Sequence, residues 1–270
     1  MVGSEFTPQR KETIAIVPGA FKPPHRGHAE MVQKYANMAD KVIILISKPT
    51  KKGRYLDDGK NKTEILQSHA EKIWRDIFLP DISGAEIVID TESPYASPIQ
   101  ATYDYIGPAG PLDPERHRVI LGASSKPDSS GIPDWHRWIG VENSRSVKPG
   151  LEIMDIEENA VECTERSCGT PFSATVMREI ISQLRKNPND RKLRQQLSEF
   201  VPAERINDLL AIFPFKESSM STGAVGGYSG HAPLSSSDDE DDSIIVQENI
   251  DINLVEEVLE LIIGRGLRYE

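Results

Sequence analysis

Apolar residues along this chain fall into two alternating rhythms: short unbroken runs bounded by turn residues, and longer stretches in which apolar positions return every three or four residues. The runs predict strands at 13–17 (TIAIV, closed by Pro18 and Gly19), 41–47 (containing VIILI), 86–90, 119–121 (ending at Gly122) and 151–156. Helical spacing predicts helices at 29–39, 62–79 (Ile65, Leu66, His69, Ile73, Trp74 and Ile77 along one face), 98–106 and 174–184. An unbroken apolar strand such as VIILI is covered on both sides, as strands of parallel sheets are. Strand and helix alternating in this way predict an α/β fold, a doubly wound parallel sheet of Rossmann-like type with helices on both faces.

After residue 185 the pattern changes twice. Residues 190–200 and 203–213 read as two helices separated by Pro202, a small C-terminal helical lobe. Residues 218–243 are rich in Gly and Ser, carry the run DDEDD at 238–242 and hold few bulky apolar side chains, so burial cannot offset the entropy of ordering them. A disordered acidic linker is expected there. Helical periodicity returns at 251–267 through Leu254, Val255, Val258, Leu259, Ile262 and Ile263. The resulting plan is a flexible N-terminus (1–11), an α/β domain (12–185), a helical extension (186–215), the linker (216–249) and an amphipathic helix (250–270). That helix could serve a protein partner or a homo-oligomer, or pack on its own chain.

Charge follows the same division. The net charge is −11, yet twelve acidic and three basic residues lie from Lys216 onward, which leaves the first 215 residues at −2. A nearly neutral body lacks the basic face that nucleic-acid binding requires, so no nucleic-acid partner is expected. No run approaches a membrane span and no apolar stretch precedes Thr13, so a cytoplasmic protein without a membrane partner is expected. Two cysteines, Cys163 and Cys168, are too few for a disulfide framework and have no zinc-site spacing; reduced thiols are expected.

Candidate chemistry concentrates in GAFKPPHRGH, residues 19–28, between the first strand and the first helix. In open parallel sheets ligands bind beyond the carboxyl ends of the strands. Gly19 and Gly27 would let the backbone approach an anion, and a helix starting near His28 would direct its amides and dipole at a phosphate. His25 and His28, three apart, would address one ligand if the turn between them is helical.

These residues resemble the nucleotidyltransferase superfamily that carries an HxGH motif within the longer pattern GxFxPxHxGH: Gly19, Phe21, Pro23, His25, Gly27 and His28 fill every fixed position. A second signature of that superfamily, ISSTxxR, corresponds here to FSATVMR, with Ser173, Thr175 and Arg178 in place and Phe172 and Ala174 departing. Two motifs in the right order, each at a strand-to-helix junction, are more specific than either alone. The resemblance covers residues 13–184 and does not reach the tail; phage-encoded members are among those it brings in.

The resemblance implies transfer of a nucleoside monophosphate from a triphosphate to a small phosphorylated acceptor. His28 would stabilise the transition state at the α-phosphate, His25 would contact the triphosphate, and Arg178 would offer its planar fork to the β- and γ-phosphates. Gly19, Ala20, Phe21, Gly27 and Gly122 would line the nucleotide, with Ser173 and Thr175 offering hydroxyls to it from the N-terminus of their helix, where capping residues stand. Mg²⁺ would come with the triphosphate, held by phosphate oxygens and water.

Further contacts to substrate or phosphate are open at Lys22, at Lys48, Lys51, Lys52 and Arg54 as a basic flap after the second strand, at Ser124 and Lys126 after the fourth, and at Trp135 as a stacking ring. Each also reads as an ordinary loop residue, and Trp135 and Trp138 as core or lid. ATP is the expected donor and nicotinamide mononucleotide, phosphopantetheine or flavin mononucleotide the expected acceptor. CTP is the alternative within the same chemistry, and a non-catalytic nucleotide- or partner-binding module is the alternative of another class.

Overall fold

The computed structural model describes residues 10–48, 53–92, 97–127, 131–162 and 172–214. They lie in the first of two compact units, Met1–Ser219; the expectations for the acidic linker, the C-terminal helix, the two cysteines, Lys51 and Lys52 fall outside the described residues.

Strands β1 (Glu12–Gly19) and β2 (Lys41–Ile46) flank helix α1 (Arg26–Ala36). A hairpin follows, β3 (Tyr55–Asp57) with β4 (Lys62–Glu64), and then helix α2 (Gln67–Ile73), which runs on through a π-helical turn at Trp74–Phe78 and a 3-10 turn at Leu79–Asp81. Strand β5 (Glu86–Asp90), helix α3 (Pro98–Ile106) and strands β6 (His117–Leu121) and β7 (Glu152–Ile153) complete the sheet. Helices α4 (Ala174–Lys186), α5 (Arg191–Phe200) and α6 (Ile206–Ile212) close the described chain. The sheet is parallel throughout, in the order β5-β2-β1-β6-β7. Its order reverses between β1 and β6, which makes the carboxyl ends of those two strands the switch point of a doubly wound fold.

The period of two along each strand divides the core. Ala15, Val17, Val42, Ile44 and Ile120 face one side, where α1, α2, α4, α5 and α6 cover them. Ile14, Ile16, Ile43, Leu45, Val119 and Leu121 face the other, beneath α3 and the segment that holds Trp138, Val141 and Val147. The small helical lobe packs against the sheet domain and shares the first of these cores: Leu197, Phe200, Leu209 and Phe213 lie with the strand residues in one cluster.

Three expectations need correction. The helix expected at 62–79 begins only at Gln67, because 62–64 pair with 55–57 as the second strand of a hairpin. Its strands are three residues each, too short to register as a period. Helix α1 starts at Arg26 and ends at Ala36, three residues ahead of the expected 29–39, with His25 rather than His28 at its entrance. The strand expected at 151–156 shrinks to Glu152–Ile153, an edge strand paired on one side only.

The hairpin is pinned from behind. The Ser182 hydroxyl accepts the Asp57 amide at 3.0 Å, and the buried Arg185 guanidinium donates to the Thr63 hydroxyl at 2.8 Å and stands 3.7 Å from the Asp58 carboxylate. No helix among the described residues is long and apolar enough to cross a membrane.

One shared core makes the helical extension part of a single cooperative unit. Phe200→Ala should cost about 3–5 kcal/mol, as large aromatic truncations in a core do. Urea transitions followed by far-UV circular dichroism and by tryptophan fluorescence should still coincide; separated transitions would show the extension folding apart from the sheet.

Candidate active site

The loop after β1 ends with His25 in extended backbone, φ −144° and ψ 171°, as the N-cap of α1. Its carbonyl accepts the amides of His28 and Ala29 at 2.8 and 3.1 Å. The His28 Nδ1 in turn accepts the His25 amide at 3.2 Å, which is one half of a capping box, the His25 side chain making no bond in return. That bond fixes the His28 tautomer: Nδ1 is an acceptor, and the proton sits on Nε2. The two rings stack with centroids 3.6 Å apart and planes 14° from parallel.

Both glycines of the motif have a use other than the expected close approach to an anion. A Cβ on Gly19 would meet the Phe21 ring at 2.5 Å, and one on Gly27 would meet the Phe172 ring at 2.8 Å. Phe21 takes a positive φ of 48°, which an L-residue adopts only under constraint, and the peptide between Lys22 and Pro23 is cis. Its buried ring stands edge-on to His28 at 5.0 Å and to Trp74 at 5.4 Å. Phe172, opening the second motif, stacks on His25 at 5.6 Å and meets Phe200 edge-on at 5.7 Å. The motif glycines are therefore seats for aromatic rings, and through Gly27 the second motif is packed directly against the first.

Polar contacts join the motifs again. Arg178 donates through Nη1 to the carbonyl of Lys22 at 2.8 Å and through Nη2 to the Thr175 hydroxyl at 2.8 Å. Ser173 stands at the N-cap of α4, as expected, but its hydroxyl makes no capping bond, and the Thr175 hydroxyl accepts from Arg178. Lys126 Nζ lies 3.5 Å from the Phe172 carbonyl. Gly122 is required where β6 ends, since a Cβ there would meet the Ile16 carbonyl at 2.8 Å.

Burial dominates the electrostatics. His25 is 5% exposed, and its pKa is held well below the usual imidazole value by desolvation, with His28 and Lys126 adding to the effect. The His28 pKa is pushed down to about 3, again by burial first and the Lys126 charge second. Both rings are neutral at physiological pH, and the buried Nδ1 of His25 has no hydrogen-bond partner. Lys22 is buried as well, and desolvation lowers its pKa; Glu64 opposes that shift and Arg54 reinforces it, which places both hairpin residues within electrostatic reach of the ammonium.

Other expected residues lie around this centre. Ala20 is exposed at the end of β1, Lys48 and Arg54 are half-buried, and Ser124 donates its amide to Asp134 at 3.3 Å. Trp135 is half-buried against the α3-side core, and Trp138 is fully buried within it. Three residues that sequence reasoning passed over as site elements complete the surroundings: Tyr35, Glu64 and Phe200. A tyrosine on an otherwise apolar helical stripe was the available signal for the first, since a buried hydroxyl needs a partner. Glu64 was hidden by the missed hairpin.

A parallel sheet of this order, with a histidine pair at the turn after its first strand, is a Rossmann-like α/β fold. Residues 16–69 match the family described as cytidylyltransferase-like. The match ends before the second motif. Phosphopantetheine adenylyltransferase of Mycoplasma capricolum subsp. capricolum is 36% identical over 77 residues, 28% of this chain and 48% of the relative. The chain thus spans about half the length of the curated relative it matches. A solved nicotinic acid mononucleotide adenylyltransferase of Plasmodium falciparum, complexed with APC, aligns over 75% of this chain and 94% of its own at 12% identity and a TM-score of 0.39. At that level it adds nothing to what the strand order already defines.

The depressed imidazole pKa values set a pH dependence. The unfolded chain binds protons near pH 6.5 while the folded one resists them down to about 3, so stability from the neutral rings is full above about pH 6.5 and is lost as pH falls through that window. The urea midpoint should fall between pH 7 and 4.5, and His28→Gln should flatten that fall. An unchanged slope in the variant would mean the ring is not held neutral.

Proposed function

We propose that this chain is a nucleotidyltransferase that moves AMP from ATP to a small phosphorylated acceptor and releases pyrophosphate. The observation that carries the proposal is the junction of the two motifs: the Phe172 ring occupies the space left by Gly27, and Arg178 bonds the carbonyl of Lys22, three residues before His25. This junction stands beside the switch point of the sheet, where nucleotides bind in folds of this class.

In the proposed reaction an oxygen of the acceptor phosphate forms the new bond to the α-phosphorus, and the bond to the oxygen bridging the α- and β-phosphorus breaks. No protein nucleophile takes part. The work of the side chains is to stabilise charge and hold geometry. His28, with its proton on Nε2, offers a neutral donor to a phosphate oxygen, and the unpartnered Nδ1 of His25 is a buried polar atom that a ligand can satisfy. Arg178 and Lys126 bring positive charge to the side of the second motif for the departing pyrophosphate. Lys22, which feels the Arg54 charge, would meet the acceptor phosphate.

Mg²⁺ belongs to this proposal as the companion of the triphosphate. Among the described residues no group of three His, Cys, Asp or Glu side chains is arranged to hold a metal ion, so its ligands would be phosphate oxygens and water. The relative's name favours adenylyl transfer, and phosphopantetheine is accordingly the first acceptor to test. The family description keeps CTP as the second reading.

A pyrophosphate-release screen crossing ATP and CTP with phosphopantetheine, nicotinamide mononucleotide, flavin mononucleotide, phosphocholine and glycerol phosphate should find turnover in the ATP row. Turnover only with CTP would move the assignment to a cytidylyltransferase. His28→Ala should lower kcat by at least about 100-fold, the range for a lost transition-state donor, with circular dichroism unchanged. Nucleotide binding without turnover in any arm would leave a binding module. Lys22→Met should raise the acceptor KM while leaving the ATP KM unchanged; the reverse pattern would put Lys22 on the nucleotide.

A further inference from the structure

Helix α1 carries more than the histidine pair. Tyr35 follows His28 by seven residues, two helical turns, and so shares its face about 10 Å further along. The ring is completely buried, and phenylalanine would serve the same packing. The hydroxyl is what differs: it donates to the Ala123 carbonyl at 2.8 Å and accepts the Ala123 amide at 2.9 Å, with the Val161 backbone also within its reach. Burial pushes the phenol pKa up to about 12, so the hydroxyl keeps the proton it donates.

Ala123 is the second residue beyond β6, at the switch point. On its other side the same carbonyl accepts the Val161 amide at 3.0 Å, and the Val161 carbonyl accepts the Ser125 amide at 2.9 Å. The segment 122–125 is therefore gripped between a helix and a neighbouring extended strand of chain. Three residues past Ala123 stands Lys126, whose ammonium reaches the carbonyl of Phe172, the residue whose ring stacks on His25. One rigid helix thus holds an imidazole at its start and, two turns on, the loop that returns a cation to that imidazole pair.

We infer that Tyr35 is a positioning residue of the nucleotide site, whose hydroxyl fixes the distance between the His25–His28 pair and the loop carrying Lys126, and thereby the affinity for the nucleotide's phosphates. The inference rests on the nucleotide-binding reading above. A tyrosine there for packing alone would predict that phenylalanine substitutes freely.

The test combines hydrogen–deuterium exchange over 122–126 with calorimetric binding of a non-hydrolysable α,β-methylene analogue of ATP with Mg²⁺, using the full chain and the variants Tyr35→Phe, Lys126→Met and the double variant. Tyr35→Phe should speed exchange at 122–126 and weaken the analogue about tenfold while Lys126 is present. In the Lys126→Met background it should weaken binding about twofold or less, because the group being positioned is gone. Equal losses in both backgrounds, or unchanged exchange at 122–126, overturn the inference. In the unaltered protein the bound analogue should slow exchange at 122–126, and no protection there overturns it whether or not the variants fold. Failure of the unaltered chain to bind the analogue at all sinks the nucleotide reading itself, an outcome separable from a bound analogue that ignores Tyr35.

Discussion

The packing of Phe172 against Gly27 is the contact on which the rest of the site depends. A methyl group at position 27 would lie 2.8 Å from that ring, so any side chain larger than hydrogen drives the second motif away from the first. With the ring seated, His25 gains a stacking surface, and Phe200 closes on the same aromatic group from α5. Helix α4 is then fixed relative to α1, and Arg178 can span to the Lys22 carbonyl. A steric fact about one glycine therefore sets the spacing of polar groups drawn from opposite ends of the α/β core.

The same crowding determines the state of the imidazoles. Two stacked rings, one of them closed in by Phe172 and Phe200, are poorly solvated, and a charged imidazolium there would lose hydration and face the Lys126 charge. Neutral rings avoid that cost and leave defined tautomers, with the His28 proton assigned by the bond its Nδ1 accepts from the His25 amide.

Much of this arrangement was readable in advance, and the reasons for the exceptions are physical. Buried parallel strands such as VIILI announce themselves because both faces are apolar, and α3 spans 98–106, as its helical spacing predicts. The hairpin at 55–64 was lost because two three-residue strands carry less than one full period of pattern, and Ile65, which belongs to the core, extended the helical reading backward. The motif glycines stand out in the sequence, but sequence identifies where a side chain is forbidden and not which neighbour forbids it: here Phe21 and Phe172 do. Phe172 was visible only as a departure from a motif, while its ring is what unites the two motifs.

That last point bears on the helical extension. Arg26, the first residue of α1, donates to the carbonyls of Ser198 and Val201 at 3.2 and 3.5 Å, which ties the end of α5 to the helix that carries both histidines. Phe200 sits at that same end, edge-on to His25 and Phe172. An unpaired last turn of α5 would expose backbone carbonyls; here a guanidinium from the motif itself satisfies them. The extension is therefore the outer wall of the aromatic cluster that holds the histidines in place, and a chain ending at residue 185 would leave His25 hydrated on that side, with its pKa free to return toward an ordinary imidazole value.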